Sequence, residues 1–322
     1  MYEDRVARQY KPLHLIGLGA FAKVYLAVDT RTLEKCAVKV IPKINPEDRT
    51  DQTKRIKNEI EIHKVLRHPF IVQLYDVIET PENFYLIMEY VDGCSLIDDV
   101  NTNGLYTESE AANIFAQIII ALEYLHSKHN LIHRDLKAEN IMITHNKLVK
   151  IIDFGLSCRS NSKDVSERCG SLSYASPEIV LGKKYTTSHD IWSCGIVLYA
   201  IVCGHIPFED EEVQIHMFNI LNQEVEIPDT ISPELESLIR GMLEKFFKNR
   251  FRLDQIINQP WLINKIREWR EKLQVNNRKM QQRRKNRSHS LVTFFKQKTK
   301  MHDPILDANL YNNENLFRNN CN

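Results

Sequence analysis

The chain has 322 residues, 43% of them hydrophobic, and a formal net charge of +1 at pH 7, so it is long enough for one large domain or two lobes with a substantial core. Its longest apolar runs, such as FAQIIIALEYL at 115–125, fall well short of the ~20 residues of a membrane span, and the opening MYEDRVARQY lacks the apolar stretch of a secretory signal. Seven cysteines are scattered without a C-x-x-C pair, which points to reduced thiols in the cytoplasm or nucleus and away from a disulfide frame or zinc site.

In chain order, the segments LHLIGLG, KVYLAVD, CAVKVIP, IVQLYDVI and FYLIMEYV are rich in β-branched and aromatic residues with turn signals between them, and they are predicted strands. One helix interrupts them. In RIKNEIEIHKVL the apolar Ile56, Ile60, Val65 and Leu66 fall close to helical spacing. Beyond about residue 95 the pattern turns helical, and TESEAANIFAQIIIALEYLHS opens on a capping box from Thr107 to Glu110. A sheet-rich lobe followed by a helical one leaves a cleft as the natural ligand site.

Between the first two strands lies GLGAFAKV, a turn in which Gly17 and Gly19 expose backbone N–H groups to a polyphosphate or simply close a hairpin. The strand that follows argues against a dinucleotide fingerprint, which needs a helix there, and Ala22 stands where a third glycine belongs. Lys39 sits on an apolar strand, where burial needs a partner; Glu59 is the candidate, and a surface lysine with a solvated helix face is the plainer alternative. HRDLKAENIMI at 133–143, followed by DFG at 153–155, then supplies the parts of phosphoryl transfer. These are an Asp to accept a hydroxyl proton, a Lys near the moving phosphoryl group, and an Asn and an Asp to hold magnesium.

The ordered motif set, over about residues 10–264, resembles the eukaryotic protein kinases. The resemblance implies an α+β bilobal fold: a small antiparallel-sheet lobe (10–90) with one regulatory helix, and a larger, mainly helical lobe (91–264), together forming a kinase domain over residues 1–264. It implies ATP and Mg2+ as cofactors and protein Ser/Thr hydroxyls as acceptors. Lys39 then holds the α and β phosphates and is itself held by Glu59. Asp135 is the catalytic base, Lys137 the γ-phosphate contact, and Asn140 and Asp153 the magnesium ligands. Met88 is the gatekeeper, Glu89 to Val91 form the hinge that takes the adenine, and Ile16, Gly17, Gly19, Val24, Ala37 and Met142 complete the nucleotide site. The form HRDLKxEN is typical of Ser/Thr kinases, and Lys137 carries that assignment. Glu178 with Arg250, and Asp190, are implied as scaffold. HRDLKAEN, DFGLS and CGSLSYASPE resemble the calmodulin-kinase group, in particular its branch of AMP-activated and microtubule-affinity-regulating kinases.

Several residues depart from that pattern. Glu167 stands where the branch usually has a phosphorylated threonine; a carboxylate there supplies a built-in negative charge for Arg134, with Ser166 adjacent and still open to modification. Ser95 and Ala200 offer no carboxylate where basophilic relatives have one, leaving Glu139 and the run EDEE at 209–212 for basic substrates. His63 takes an apolar position against Phe154, as a neutral core histidine or a pH-sensitive one. A pseudokinase scaffold is the alternative function, but Lys39, Asp135 and Asp153 are all retained. A nucleic-acid binder would rest on the basic tail alone and lacks any dedicated domain.

That tail, residues 265–322, carries fourteen Lys and Arg against five Asp and Glu, or +9, which leaves −8 on residues 1–264. Leu262, Ile266, Trp269 and Leu273 share a helical face and predict a short amphipathic helix, with disorder after it. The helix either caps the core or, with the basic run RKMQQRRKNR, folds onto the acidic body, bringing Ser288 and Ser290 near the cleft as autophosphorylation sites. A calmodulin-like partner or an acidic membrane surface would compete for it.

Overall fold

Alternation along the first strands sets the architecture. The computed structural model describes residues 4–19, 22–43, 49–160 and 169–300. After a short helix α1 (Asp4–Gln9), strands β1 (Tyr10–Leu18), β2 (Lys23–Asp29) and β3 (Lys35–Pro42) run antiparallel. Helix α2 (Arg49–Val65) follows, and then β4 (Leu74–Glu79) and β5 (Asn83–Glu89) complete a five-stranded sheet of order β1-β2-β3-β5-β4. On β3 the pleat turns Cys36, Val38 and Val40 to one face, where they join Val6 of α1 and Tyr10. The sequence reading missed α1: six residues are too few for a helical period, and two anchors four apart suffice to seat it. On the other face Ile41, Leu74, Phe84 and Leu86 pack against Ile56 and Ile60 of α2. Val65, grouped with them from sequence, is exposed instead, while Leu66 is buried.

The second lobe begins with β6 (Gly93–Ser95) and α3 (Leu96–Asn103). Helix α4 (Glu108–Glu123) carries the expected capping box: Thr107 Oγ1 accepts from the Glu110 N–H, and the Glu110 carboxylate accepts from the Thr107 N–H at 3.0 Å. A π-helical turn, Tyr124–Lys128, ends it. Short strands β7 (Leu131–Ile132), β8 (Ile141–Thr144), β9 (Val149–Ile151) and β10 (Cys158–Arg159) then frame the loop 133–140. Helices α5 (Pro177–Val180), α6 (Ser188–Cys203), α7 (Val213–Asn222), α8 (Pro233–Met242) and α9 (Leu253–Ile257) build the rest of this lobe. Apart from Cys203 at its end, every residue of α6 from His189 on is buried, and α4 and α8 pack around it as the lobe's core.

The chain divides into two units, Met1–Arg267 and Glu268–Asn322. Helix α10 (Ile263–Lys300) starts in the first and forms the described part of the second. It is longer than the short helix expected from its apolar face, because the whole stretch contains neither Gly nor Pro and is rich in Lys, Arg, Gln and Glu, which favour helix without burial. Among the described residues no helix is long and apolar enough to cross a membrane.

Candidate active site

The β3 face opposite Val38 delivers Ala37 and Lys39 to a cavity of about 360 Å³ between the lobes. Ile16, Gly17, Val24, Met88, Glu89, Val91 and Met142 line the same cavity, as do Asn140, Glu59 and Asp153. Gly19 does not; its N–H donates to the Ala22 carbonyl at 2.9 Å and closes the hairpin. Tyr90 of the hinge lines it too, while Val72 and Ile152 line the cavity without having been singled out from sequence. These two carry no reactive group, and the bond from the Val72 N–H to the Ile151 carbonyl at 3.0 Å is what brings their segments together.

Lys39 is the electrostatic centre of the cleft. Its Nζ lies 2.8 Å from Glu59 Oε1 and 3.0 Å from Asp153 Oδ1. Burial works against the charge of Lys39, but the two carboxylates outweigh it and raise its pKa. Burial likewise opposes the Asp153 charge, and Lys39 reverses the effect, so Asp153 is held below the usual carboxylate range. Asp153 adopts φ +60°, and the Gly155 N–H bonds back to its Oδ1 at 3.2 Å. A non-glycine residue in this left-handed region costs about 1 kcal/mol or more and persists where surrounding contacts over-determine it.

The loop 133–140 hangs from a buried carboxylate. Asp190 Oδ2 and Oδ1 accept from the N–H groups of His133 (2.8 Å) and Arg134 (3.0 Å), and His126 Nε2 lies 2.8 Å from Oδ2. Burial would raise the Asp190 pKa, yet its bond to His126 and neighbouring positive character bring it down to about 2. The anchoring holds Arg134 at φ +68°. Next to it, Asp135 receives Asn140 Nδ2 on both its carbonyl and its Oδ2, each at 2.9 Å, and Lys137 Nζ lies 3.1 Å from the same Oδ2. Lys137 also donates to Ser171 Oγ at 3.0 Å. Gly170, at φ +85°, passes so close that an added Cβ would meet the Arg134 carbonyl at 2.7 Å.

Phe154 is buried between two imidazoles, with His63 and His133 ring centroids each 5.0 Å away. His63 Nε2 bonds the Val72 carbonyl at 2.8 Å, and burial pushes its pKa down to about 4, so it is the neutral donor of a packed core. Ser95 caps α3, accepting from the Asp98 N–H, and Ala200 is buried in α6. Glu139 accepts from Tyr174 Oη at 3.2 Å. Arg134 Nη1 donates to Tyr185 Oη at 3.1 Å and its Nε donates to the Leu156 carbonyl. Ser166 and Glu167 lie outside the described residues.

A family model described as the protein kinase domain matches residues 10–262. The chain belongs to that family. It is 40% identical to a probable serine/threonine-protein kinase KIN1 homolog of Encephalitozoon cuniculi, over 81% of this chain and 47% of the relative. It is 38% identical to the maternal embryonic leucine zipper kinase of Xenopus laevis (82% and 40% covered) and 39% identical to the carbon catabolite-derepressing protein kinase of Saccharomyces cerevisiae (78% and 40%). The chain thus spans about half the length, or less, of these relatives. An SNF1-like kinase of Schizosaccharomyces pombe, 41% identical, belongs to the branch that the motifs resemble.

Proposed function

We propose that this chain is an ATP- and Mg2+-dependent kinase that phosphorylates Ser and Thr hydroxyls of proteins. The observation that carries the reading is the closed chain of contacts Glu59–Lys39–Asp153, facing a loop in which Asp135 is already bonded to Asn140 and Lys137. Asp135 takes the acceptor's proton, and Lys137 balances charge beside it. Lys39 binds and orients the α and β phosphates, with Glu59 fixing its position. The cleft residues suit a hard divalent ion: Asn140 has its Nδ2 engaged, which leaves its amide oxygen, and Asp153 has Oδ1 engaged, which leaves Oδ2. Magnesium bound there would neutralise charge developing on the transferred group. Six free cysteines among the described residues suit a cytoplasmic or nuclear setting. Glu167 acts as a fixed charge for Arg134.

The test is phosphorylation of an arrayed peptide library by wild type, Asp135→Asn and Asp153→Ala. Wild type transfers phosphate to Ser/Thr peptides and both variants fall by at least about 10³ with unfolding midpoints unchanged. A wild type that binds ATP and transfers nothing would make the chain a scaffold. The basic tail is the proposed intramolecular partner, with a calmodulin-like protein competing for it. Truncation after residue 274 is then expected to raise peptide phosphorylation, most at low salt, where screening is weakest. Equal kinetics at low and high salt would make the tail a tether.

A further inference from the structure

Helix α2 has to present Glu59 to Lys39, and apolar packing alone does not fix how it is rolled about its own axis. Ile56 and Ile60 lie against Leu74, Phe84 and Leu86 of the sheet, and the His63 ring is 5.0 Å from that of Phe154. Packing of this kind is non-directional, so a small roll keeps most of it while carrying the Glu59 carboxylate away from Lys39. A directional bond elsewhere on the circumference stops the roll. Consecutive helical residues lie about 100° apart, and the residue next to Glu59 supplies such a bond. Asn58 Nδ2 donates to the Ser157 carbonyl at 3.1 Å, across 99 positions of sequence.

Ser157 is a firm post for that bond. It is buried, its N–H donates to the Phe154 carbonyl at 3.0 Å, and its Oγ donates to the His133 carbonyl at 3.3 Å. On one side Arg134 Nε holds the Leu156 carbonyl, and on the other Cys158 and Arg159 pair with Ile132 and Leu131 as β10 against β7. The carbonyl that Asn58 reaches is therefore fixed to the second lobe and to the loop that carries Asp135. The same segment passes close to Glu59, since a Cβ added to Gly155 would lie 3.2 Å from Glu59 Oε2 and 3.2 Å from Asp153 Oδ1. Asn58 itself is exposed, so water could satisfy its amide, and burial does not force the bond.

We propose that Asn58 is a positioning residue for phosphoryl transfer: its amide ties α2 to Ser157 and so sets the roll of the helix that delivers Glu59 to Lys39. This rests on the kinase reading and adds a residue to it. Lys39 keeps its place at the α and β phosphates while Glu59 holds it, 2.8 Å away. The bond from Asn58 therefore acts on the phosphates of the nucleotide, through Glu59 and Lys39, and not on its base. Without it the same helix samples rolled positions in which Lys39 is not held, and binding of the phosphates has to pull it back.

The test is calorimetric titration of the full chain with ATP and Mg2+ and, separately, with adenosine, both without an acceptor. Asn58→Ala and Asn58→Leu, the second close to asparagine in shape but without a donor, are expected to weaken ATP at least about threefold, within the worth of one neutral hydrogen bond. Adenosine, which lacks the phosphates, binds both variants as it binds wild type, and the urea midpoints stay together. Asn58→Gln keeps an amide donor and restores ATP binding to within about twofold. In a Glu59→Gln background Asn58→Ala adds no further loss, because the bond acts through Glu59. With a peptide acceptor, KM for ATP rises in Asn58→Ala by more than kcat falls. Unchanged ATP affinity in the Ala and Leu variants overturns the proposal. Equal weakening of ATP and adenosine overturns it too, by making the bond part of the general fold, and so does a full additional loss on top of Glu59→Gln. Because binding is read without an acceptor, ATP bound as expected with no transfer to any peptide counts against the kinase reading alone.

Discussion

The Lys39–Glu59 pair in the cleft and the Arg250–Glu178 pair beneath α6 use the same kind of attraction and are built differently. Arg250 meets Glu178 through two parallel bonds of 2.7 and 3.0 Å and directs its remaining donors to the Glu244 and Ser188 carbonyls, at 3.0 Å each, and to the Lys245 carbonyl at 3.5 Å. Its side chain is fully buried, and its guanidinium carbon lies 5.1 Å from the Trp192 ring centroid. Burial opposes the Glu178 charge, and Arg250 overcomes it, holding the carboxyl below its usual range. Lys39 has the same sign of compensation but shares one flexible ammonium between two carboxylates at the edge of an open cavity. A closed pair holds shape. An open one leaves charge to be spent on something that enters.

The comparison is broken most directly by removing one partner from each pair. Glu178→Ala strands a buried guanidinium and is expected to cost about 3–5 kcal/mol of unfolding free energy, read by urea titration. Lys39→Met is expected to lower kcat by about 10²–10³ and to cost less than half as much stability, because the half-exposed Asp153 carboxylate stays within reach of water in the cleft. Equal stability losses for the two variants would mean that Lys39–Glu59 is architectural as well.

His63 sharpens the comparison from the side of a buried group with no charged partner. Its folded pKa of about 4 lies below the ordinary 6.5, so the unfolded state binds more protons between those values. The stabilising contribution is therefore complete above about pH 6.5 and declines as pH falls toward 4, by about 1.4 kcal/mol per unit at most. His63→Leu keeps the packing against Phe154 and removes the titration, so its stability should fall less steeply over that window. Other histidines contribute to both curves, and the difference in slope is the quantity to measure. Parallel curves would show that His63 does not titrate with unfolding.

What the sequence revealed and what it hid follow from the range of the interactions. Asp135, Lys137 and Asn140 lie within six residues, so the loop carrying them is legible as a string. The link from Lys39 to Asp153 spans 114 positions and reaches the sequence level only through resemblance, because nothing local to either residue points to the other. Val72 and Ile152 were missed for the same reason: strand pairing places them, and apolar side chains announce no chemistry. Phe218 misleads in the opposite sense, since a phenylalanine in a ten-residue helix reads as core and is exposed. Exposure belongs to the packing of α7, not to its composition.

The smallest expected effect concerns a single carboxylate, Glu167, in the segment of sequence between DFG and SPE. Arg134, its intended partner, is held at φ +68° by the bond from its N–H to Asp190, with Nη1 on Tyr185. A guanidinium fixed in this way orders the segment if a negative charge meets it, and Glu167 supplies one charge where a phosphate would supply nearly two. The loss of one charge opposite Arg134 is taken as ~1 kcal/mol, so Glu167→Ala should lower the rate on peptides about fivefold. Glu167→Thr should show the same loss and recover on treatment with a kinase that modifies the new hydroxyl, while the wild type gains nothing from that treatment. Both variants should unfold at the wild-type urea concentration, in contrast to Glu178→Ala. A wild type that is silent until phosphorylated at another residue, and indifferent to Glu167→Ala, would remove the fixed charge from the account of how the enzyme is switched on.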